Sequence, residues 1–227
     1  MSVKENYERI IDRLGKACTR SKRDPKDVQI LAVCKNQPIE RIIEAKELGL
    51  KLFGENKTQE AEEHMEHMDS DEIEWHFIGK LQKNKINKIL NSFDFIESVD
   101  SVKSIEHIHK RVDKITETFI EINIADEKNK SGFTIEGLKK ALNYISLLNR
   151  VKIVGLMCIP PFNDDPEFSR SYFAELKELK DDINAMNLKN FDIRELSMGM
   201  SNDYEVAVEE GATIVRIGTA LFGRRFK

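Results

Sequence analysis

The chain has 227 residues, 33% of them charged, with a formal net charge of −4. That length suits one large domain or two small ones and allows a sizeable core. The near-balance of charge excludes a surface built on basic excess, so no nucleic-acid partner is expected. No apolar run is long enough for a membrane span, and the charged stretch Met1 to Arg20 does not read as a secretory signal.

Val3, Tyr7, Ile10, Ile11, Leu14 and Cys18 recur at helical spacing and predict an opening amphipathic helix, ended by Arg23-Asp24-Pro25. Short apolar runs then alternate with longer amphipathic ones. Strands are predicted at Ile30–Lys35, Leu52–Glu55, Glu74–Gly79, Phe95–Val99, Phe119–Ala125, Val151–Ile159, Glu195–Met200 and Thr213–Gly218. A helix is predicted over Ile39–Leu48, and another starts at Lys57. Val102, Ile105, Ile108, Val112 and Ile115 predict a third apolar helix face. Ile135 to Leu148 and Phe168 to Ile183 carry two more, and Ala207 to Gly211 closes a short helix on glycine.

Strict alternation of strand and helix implies parallel strands with crossover helices. Eight such units predict a single (β/α)8 barrel, a TIM barrel of the α/β class, over residues 1–227 with an extra helix in front. A doubly wound open sheet is the alternative. Against it, no GxGxxG follows the first strand, which ends in a lysine instead. In a barrel the chemistry sits at the C-terminal strand ends, where Lys35, Asn56, Asp100, Asp126, Ser201 and Thr219 would converge.

Cys18, Cys34 and Cys158 are odd in number and form no CxxC pair, which fits a reducing, cytoplasmic compartment. His64 and His67 stand among acidic residues on what reads as a solvated helix face, and His107 and His109 on a lysine-rich helix. Neither pair has the ligand set of a metal site, so no metal is expected. His76, inside the third strand, reads as a hydrogen-bonded core residue near the mouth. The acidic run Glu60–Asp71 and the basic run Lys80–Lys88 read as solvated helix faces.

Lys35 ends the apolar run Ile30-Leu31-Ala32-Val33-Cys34. Half out of an apolar wall, its ammonium would be desolvated and its pKa lowered, as an amine needs in order to form a Schiff base. Arg216 lies within the apolar run from Thr213 to Gly218; it cannot lose its charge and needs a partner, either a carboxylate or a ligand. Two small-residue turns, Ser197 to Asn202 and Ile217 to Ala220, offer N–H groups and hydroxyls after the last two strands. Barrel phosphate sites are frequently built there. Asn56 is either a ring contact or an N-cap. An aldehyde-trapping lysine, a phosphate cradle and an arginine for a ring nitrogen together describe pyridoxal 5'-phosphate. Arginine leaves that nitrogen unprotonated and the ring a weaker electron sink.

The strings LAVCK, LFGEN, EWHFIGKLQKNK, EINIADEKNKSG, GLMCIPP and ELSMGMSNDYEVAVEEGATIVRIGTALFG resemble the YggS/PROSC family of pyridoxal phosphate homeostasis proteins, from about Ile30 to Arg224 and in family order. The resemblance implies a barrel similar to the N-terminal domain of alanine racemase, with pyridoxal phosphate on Lys35. It implies Ser201, Gly218 and Thr219 at the phosphate, Arg216 at the ring nitrogen, and Asn56 and Met200 lining the cofactor. Lys130 matches a mouth lysine thought to handle the cofactor. The family is understood to bind, carry or buffer the cofactor, with no clear turnover. Client apo-enzymes are the implied partners, and a monomer is the expected state. The alternative, a racemase, needs a second acid–base group. Tyr204 could only be a local substitute and reads rather as a packing residue. Lys80 and Lys130, in strand-following loops, are placed to accept the aldehyde transiently on an exit path.

Overall fold

The computed structural model describes residues 2–68 and 72–223. Its strands are β1 (Gln29–Val33), β2 (Leu52–Glu55), β3 (Glu74–Phe77), β4 (Phe95–Ile96), β5 (Thr116–Ile122), β6 (Val151–Cys158), β7 (Phe191–Met200) and β8 (Ile214–Ile217). The helices are α1 (Val3–Ser21), α2 (Ile39–Glu47), α3 (Thr58–His67), α4 (Ile86–Ser92), α5 (Val102–His109), α6 (Ile135–Ile145), α7 (Arg170–Ala185), α8 (Tyr204–Glu209) and α9 (Thr219–Phe222).

The strands form one sheet in the order β4-β3-β2-β1-β8-β7-β6-β5, and the registered pairs are parallel. The first strand pairs with the last, with Leu31 opposite Arg216. The two ends of the sheet meet in a parallel bridge between Val99 and Ile120, where the Glu121 N–H reaches the Val99 carbonyl at 2.9 Å. That closure makes a barrel and removes the open-sheet alternative.

Side chains alternate across each strand. Leu31, Val33, Leu52, Phe119, Val154 and Ile214 pack together in the barrel interior. Ala32, Cys34, Phe53, Val215 and Ile217 join the layer between strands and helices. The interior is tight. A Cβ at Gly155 would overlap the Phe119 ring, and one at Gly54 would overlap the Leu31 side chain.

Ser2 and Glu5 form a capping box at the start of α1, and Lys22 ends the helix in the left-handed region. Its buried face holds Asn6, whose Nδ2 donates to the Leu221 carbonyl at 2.9 Å. Arg23 Nη1 donates to the Val208 carbonyl at 2.7 Å, and Arg20 pairs with Glu205 and Glu209. The extra helix is therefore fastened to the last two helices, on the outside of the barrel.

Several bounds differ from the sequence expectations. β1 stops at Val33, so Lys35 lies in the turn beyond it. α5 ends at His109, before Val112 and Ile115, and Ile115 is 66% exposed. The connection into β5 takes up those residues. In the basic run, residues 80–85 are turn and loop, and a helix begins only at Ile86. The acidic run is α3 up to His67; Asp69 and Asp71 lie outside the described residues, as does Arg224. His64 is not solvated: it is buried, with Nδ1 2.8 Å from Glu55 Oε1.

Gly155→Ala is expected to destabilise the barrel by roughly 1–3 kcal/mol, the usual cost of overpacking. Chemical denaturation would check it, and an unchanged midpoint would show that Phe119 moves aside freely.

Candidate functional site

Beyond β1 the Cys34 N–H still bonds the Gly54 carbonyl at 2.9 Å, and Cys34 is buried in the outer layer. Alternation therefore turns the next side chain, Lys35, over the barrel mouth on the same side as Val33. The turn is held by its neighbours. Asn36, at φ 57°, donates its N–H to Glu60 Oε2 at 3.0 Å.

Lys35 lines a cavity of about 320 Å³ at this mouth. Its polar wall holds Lys35, Gln37, Ser201, Asn202, Arg216 and Thr219, with Gly218 between the last two. Val33, Ile78, Met157, Ile159, Phe162 and Met200 form the apolar wall. Two cations and no carboxylate stand among the described lining residues, so the cavity suits an anion with an apolar body.

Four adjacent strands, β6, β7, β8 and β1, and the segments that follow them supply most of that lining. The register between β7 and β8 shifts between Ser197 and Met200. Within the shift Gly199 has φ 87°, and a Cβ there would overlap Ala207. This bulge aims Met200 and Ser201 at the mouth. The turn expected from Ser197 thus begins only at Ser201, because Ser197 to Met200 remain in β7. Ser201 Oγ accepts the Ala220 N–H at 3.0 Å and joins the turn after β7 to the start of α9, which follows β8.

Arg216 is only 4% exposed. Its Nη1 donates to the Ser197 carbonyl and to Ser197 Oγ, the latter at 2.9 Å, and its Nη2 donates to the Cys158 carbonyl at 2.7 Å. Ser197 Oγ donates in turn to Glu97 Oε2 at 2.6 Å, and His76 Nδ1 lies 2.7 Å from Glu97 Oε1. The partner that Arg216 needs is therefore two carbonyls and a hydroxyl, with a carboxylate one serine away. Burial alone would raise the Glu97 pKa, but the His76 bond and the charges of His76 and Arg216 hold it below the ordinary value. Burial opposes a charged His76, yet Glu74 and Glu97 outweigh it and raise its pKa to about 9. Glu74 Oε2 stands 3.9 Å from Nε2, which has no hydrogen-bond partner.

The structure brings Lys35, Met200, Ser201, Arg216, Gly218 and Thr219 to one cavity. Asn56 is not among the lining residues, nor is it an N-cap, since Lys57 occupies that position. Its Oδ1 is nonetheless buried without a hydrogen-bond partner at the adjacent strand end. Lys130 is at the rim: Nζ pairs with Glu127 and reaches the Ile159 carbonyl at 3.5 Å. Lys80 is exposed in the loop after β3 and does not line the cavity. Tyr204 is buried away from the mouth, with Arg13 over its ring at 5.7 Å. No group of metal-ligating side chains occurs among the described residues. Sequence reasoning missed the apolar wall apart from Met200, and it missed Glu97. The signal for Glu97 was available, as an acidic residue inside the apolar run from Phe95 to Val99.

The family defined by the alanine racemase N-terminal domain matches residues 4–225. The pyridoxal phosphate homeostasis protein of Aquifex aeolicus (strain VF5) is 42% identical over 228 residues, covering 99% of each chain. The chain belongs to this family of pyridoxal phosphate homeostasis proteins with an alanine racemase N-terminal fold. Another family member, from Vibrio alginolyticus, is 36% identical over 231 residues, 99% of this chain and 98% of that one. PipY of Synechococcus elongatus PCC7942, solved with PLP bound, superposes with a TM-score of 0.80 at 35% identity, covering 94% of this chain and 100% of that one.

The His76 pKa, raised from 6.5 to about 9, has a consequence for stability. A histidine with a raised folded value stabilises fully below its unfolded pKa and loses that contribution as pH rises through the folded one. Folding stability is expected to fall between pH 6.5 and 9 by at least about 1 kcal/mol, and clearly less in His76→Gln. Urea denaturation across that range would show it; parallel curves for the two proteins would remove His76 as the cause.

Proposed function

We propose that this chain binds pyridoxal 5'-phosphate at the barrel mouth, holds it covalently on Lys35, and buffers and delivers it in the homeostasis of the cofactor. The observation that carries this reading is the cavity where one amine, one buried arginine and the hydroxyls of Ser201 and Thr219, from segments linked through Ala220, face an apolar wall. When bound, the cofactor supplies an aldehyde that condenses with a primary amine. Lys35 offers that amine. Ser201, Gly218 and Thr219 would hold the phosphate, and the two cations without a carboxylate suit its charge. Arg216 would donate to the ring nitrogen. Met200 and the other apolar residues would flank the ring, and the orphaned Oδ1 of Asn56 is an acceptor within the same end of the barrel. The names of the relatives and the PLP-bound PipY support the same cofactor.

Holding is favoured over turnover by two observations. Arginine is a permanent cation that donates a hydrogen bond without protonating the ring, so it supports a carbanion poorly. Tyr204, the one tyrosine that could serve as a second acid–base group, packs beneath α1 rather than at the cavity. Interconversion of D- and L-alanine by the loaded protein is expected to stay at background.

The reading includes one domain over residues 1–227, a monomer, and client apo-enzymes as partners. The three cysteines are free and buried, in keeping with a reducing cytoplasm, and no helix is long and apolar enough to cross a membrane among the described residues. Lys130 reaches the carbonyl of the lining residue Ile159 and would meet the cofactor as it leaves.

An absorption spectrum before and after borohydride tests the reading. Wild type is expected to show a visible band that borohydride fixes, and Lys35→Ala to lack it; a colourless protein that stays colourless with added pyridoxal phosphate would overturn it. Lys130→Ala is expected to slow transfer to an apo-enzyme several-fold with the band retained. Transfer at the wild-type rate would remove Lys130 from the exit path.

A further inference from the structure

We propose that Ser197 and Glu97 are positioning residues for Arg216, forming a buried relay that sets the guanidinium toward the ring nitrogen of the bound cofactor. The inference deepens the reading of the mouth as a pyridoxal phosphate site and rests on it.

The relay has a fixed direction. An ionised carboxylate only accepts hydrogen bonds, and a serine hydroxyl has one proton to donate. With that proton on Glu97 Oε2 at 2.6 Å, Ser197 Oγ presents its lone pairs to Arg216 Nη1 at 2.9 Å. Glu97 is itself locked. It is fully buried, and its second oxygen faces His76 Nδ1 at 2.7 Å. The His76 ring is wedged against Phe95 and Phe119, with centroids 4.9 and 6.2 Å away. From the other side the Cys158 carbonyl takes Nη2 at 2.7 Å. These bonds engage both terminal nitrogens, and Nε lies outside the set.

The serine between the charges matters. A direct arginine–carboxylate pair tends to become bidentate and would draw the guanidinium down to Glu97. With Ser197 interposed, Glu97 balances the buried charge while Arg216 still lines the cavity. Arg216 with its terminal nitrogens so fixed has one orientation to offer a ligand, and a hydrogen bond to the ring nitrogen would depend on it.

The test compares pyridoxal phosphate with the analogue in which a ring C–H replaces the pyridine nitrogen, using the full-length wild type, Ser197→Ala and Glu97→Gln. Affinities come from titration of the visible band, and melting without ligand confirms folding. Wild type is expected to prefer pyridoxal phosphate. Both variants are expected to lose about tenfold of that preference, the size of one charge-assisted hydrogen bond, while binding the analogue as wild type does. The near-isosteric Glu97→Gln keeps the test decisive if Ser197→Ala does not fold. A preference unchanged in the folded variants, or both ligands weakened equally, would overturn the relay and make it a structural brace. Wild type binding both ligands equally would also overturn it, while leaving the cofactor reading standing. Wild type binding neither would overturn both.

Discussion

The pairing of β1 with β8 is the constraint on which the site depends. It sets Leu31 opposite Arg216, so the residues that follow the two strands, Lys35 after β1 and Gly218 with Thr219 after β8, emerge side by side. The pairing brings the two ends of the sequence together in the middle of the sheet. Closure through Val99 and Ile120 also brings β4 across from β7, which lets Glu97 reach Ser197 over 100 residues of sequence. The pairing and the closure together assemble the mouth and the charge that supports it from below.

A permanent cation inside a barrel is costly unless its donors are met and its charge is balanced. Here the donors go to Ser197 and Cys158, and the balance comes from Glu97, itself steadied by His76. The interior is therefore layered. Apolar residues such as Leu31, Phe119 and Ile214 fill the middle, and the polar set lies among and above them. Gly54 and Gly155 make room for the large neighbours on which that layer rests.

Much of this was legible in the sequence, and for a common reason. Lys35 and Arg216 stood out as charged residues at the end of or within apolar runs, where a charge must meet a partner or reach the mouth. The alternation of short and long apolar segments disclosed the eight units because periodicity reports which face is buried. Where local pattern and tertiary contact disagreed, the reading failed. His64 sits among acidic neighbours and reads as solvated, yet Glu55 reaches it from the adjacent strand and buries it. Ile115 continues a helical spacing that the chain abandons at His109 to enter β5. The basic run from Lys80 has no periodicity of its own to show that its first half is turn.

By itself the sequence determined the element order, the barrel and the two charged residues at its mouth, since those follow from hydrophobic period and from the expense of burying charge. Only the tertiary structure decided which polar groups meet. Alternation past the end of β1 aimed Lys35, the bulge at Gly199 redirected Met200 and Ser201, and barrel closure linked Arg216 to Glu97 through Ser197. Those contacts join residues far apart in the chain, and no local pattern encodes a distance between strands.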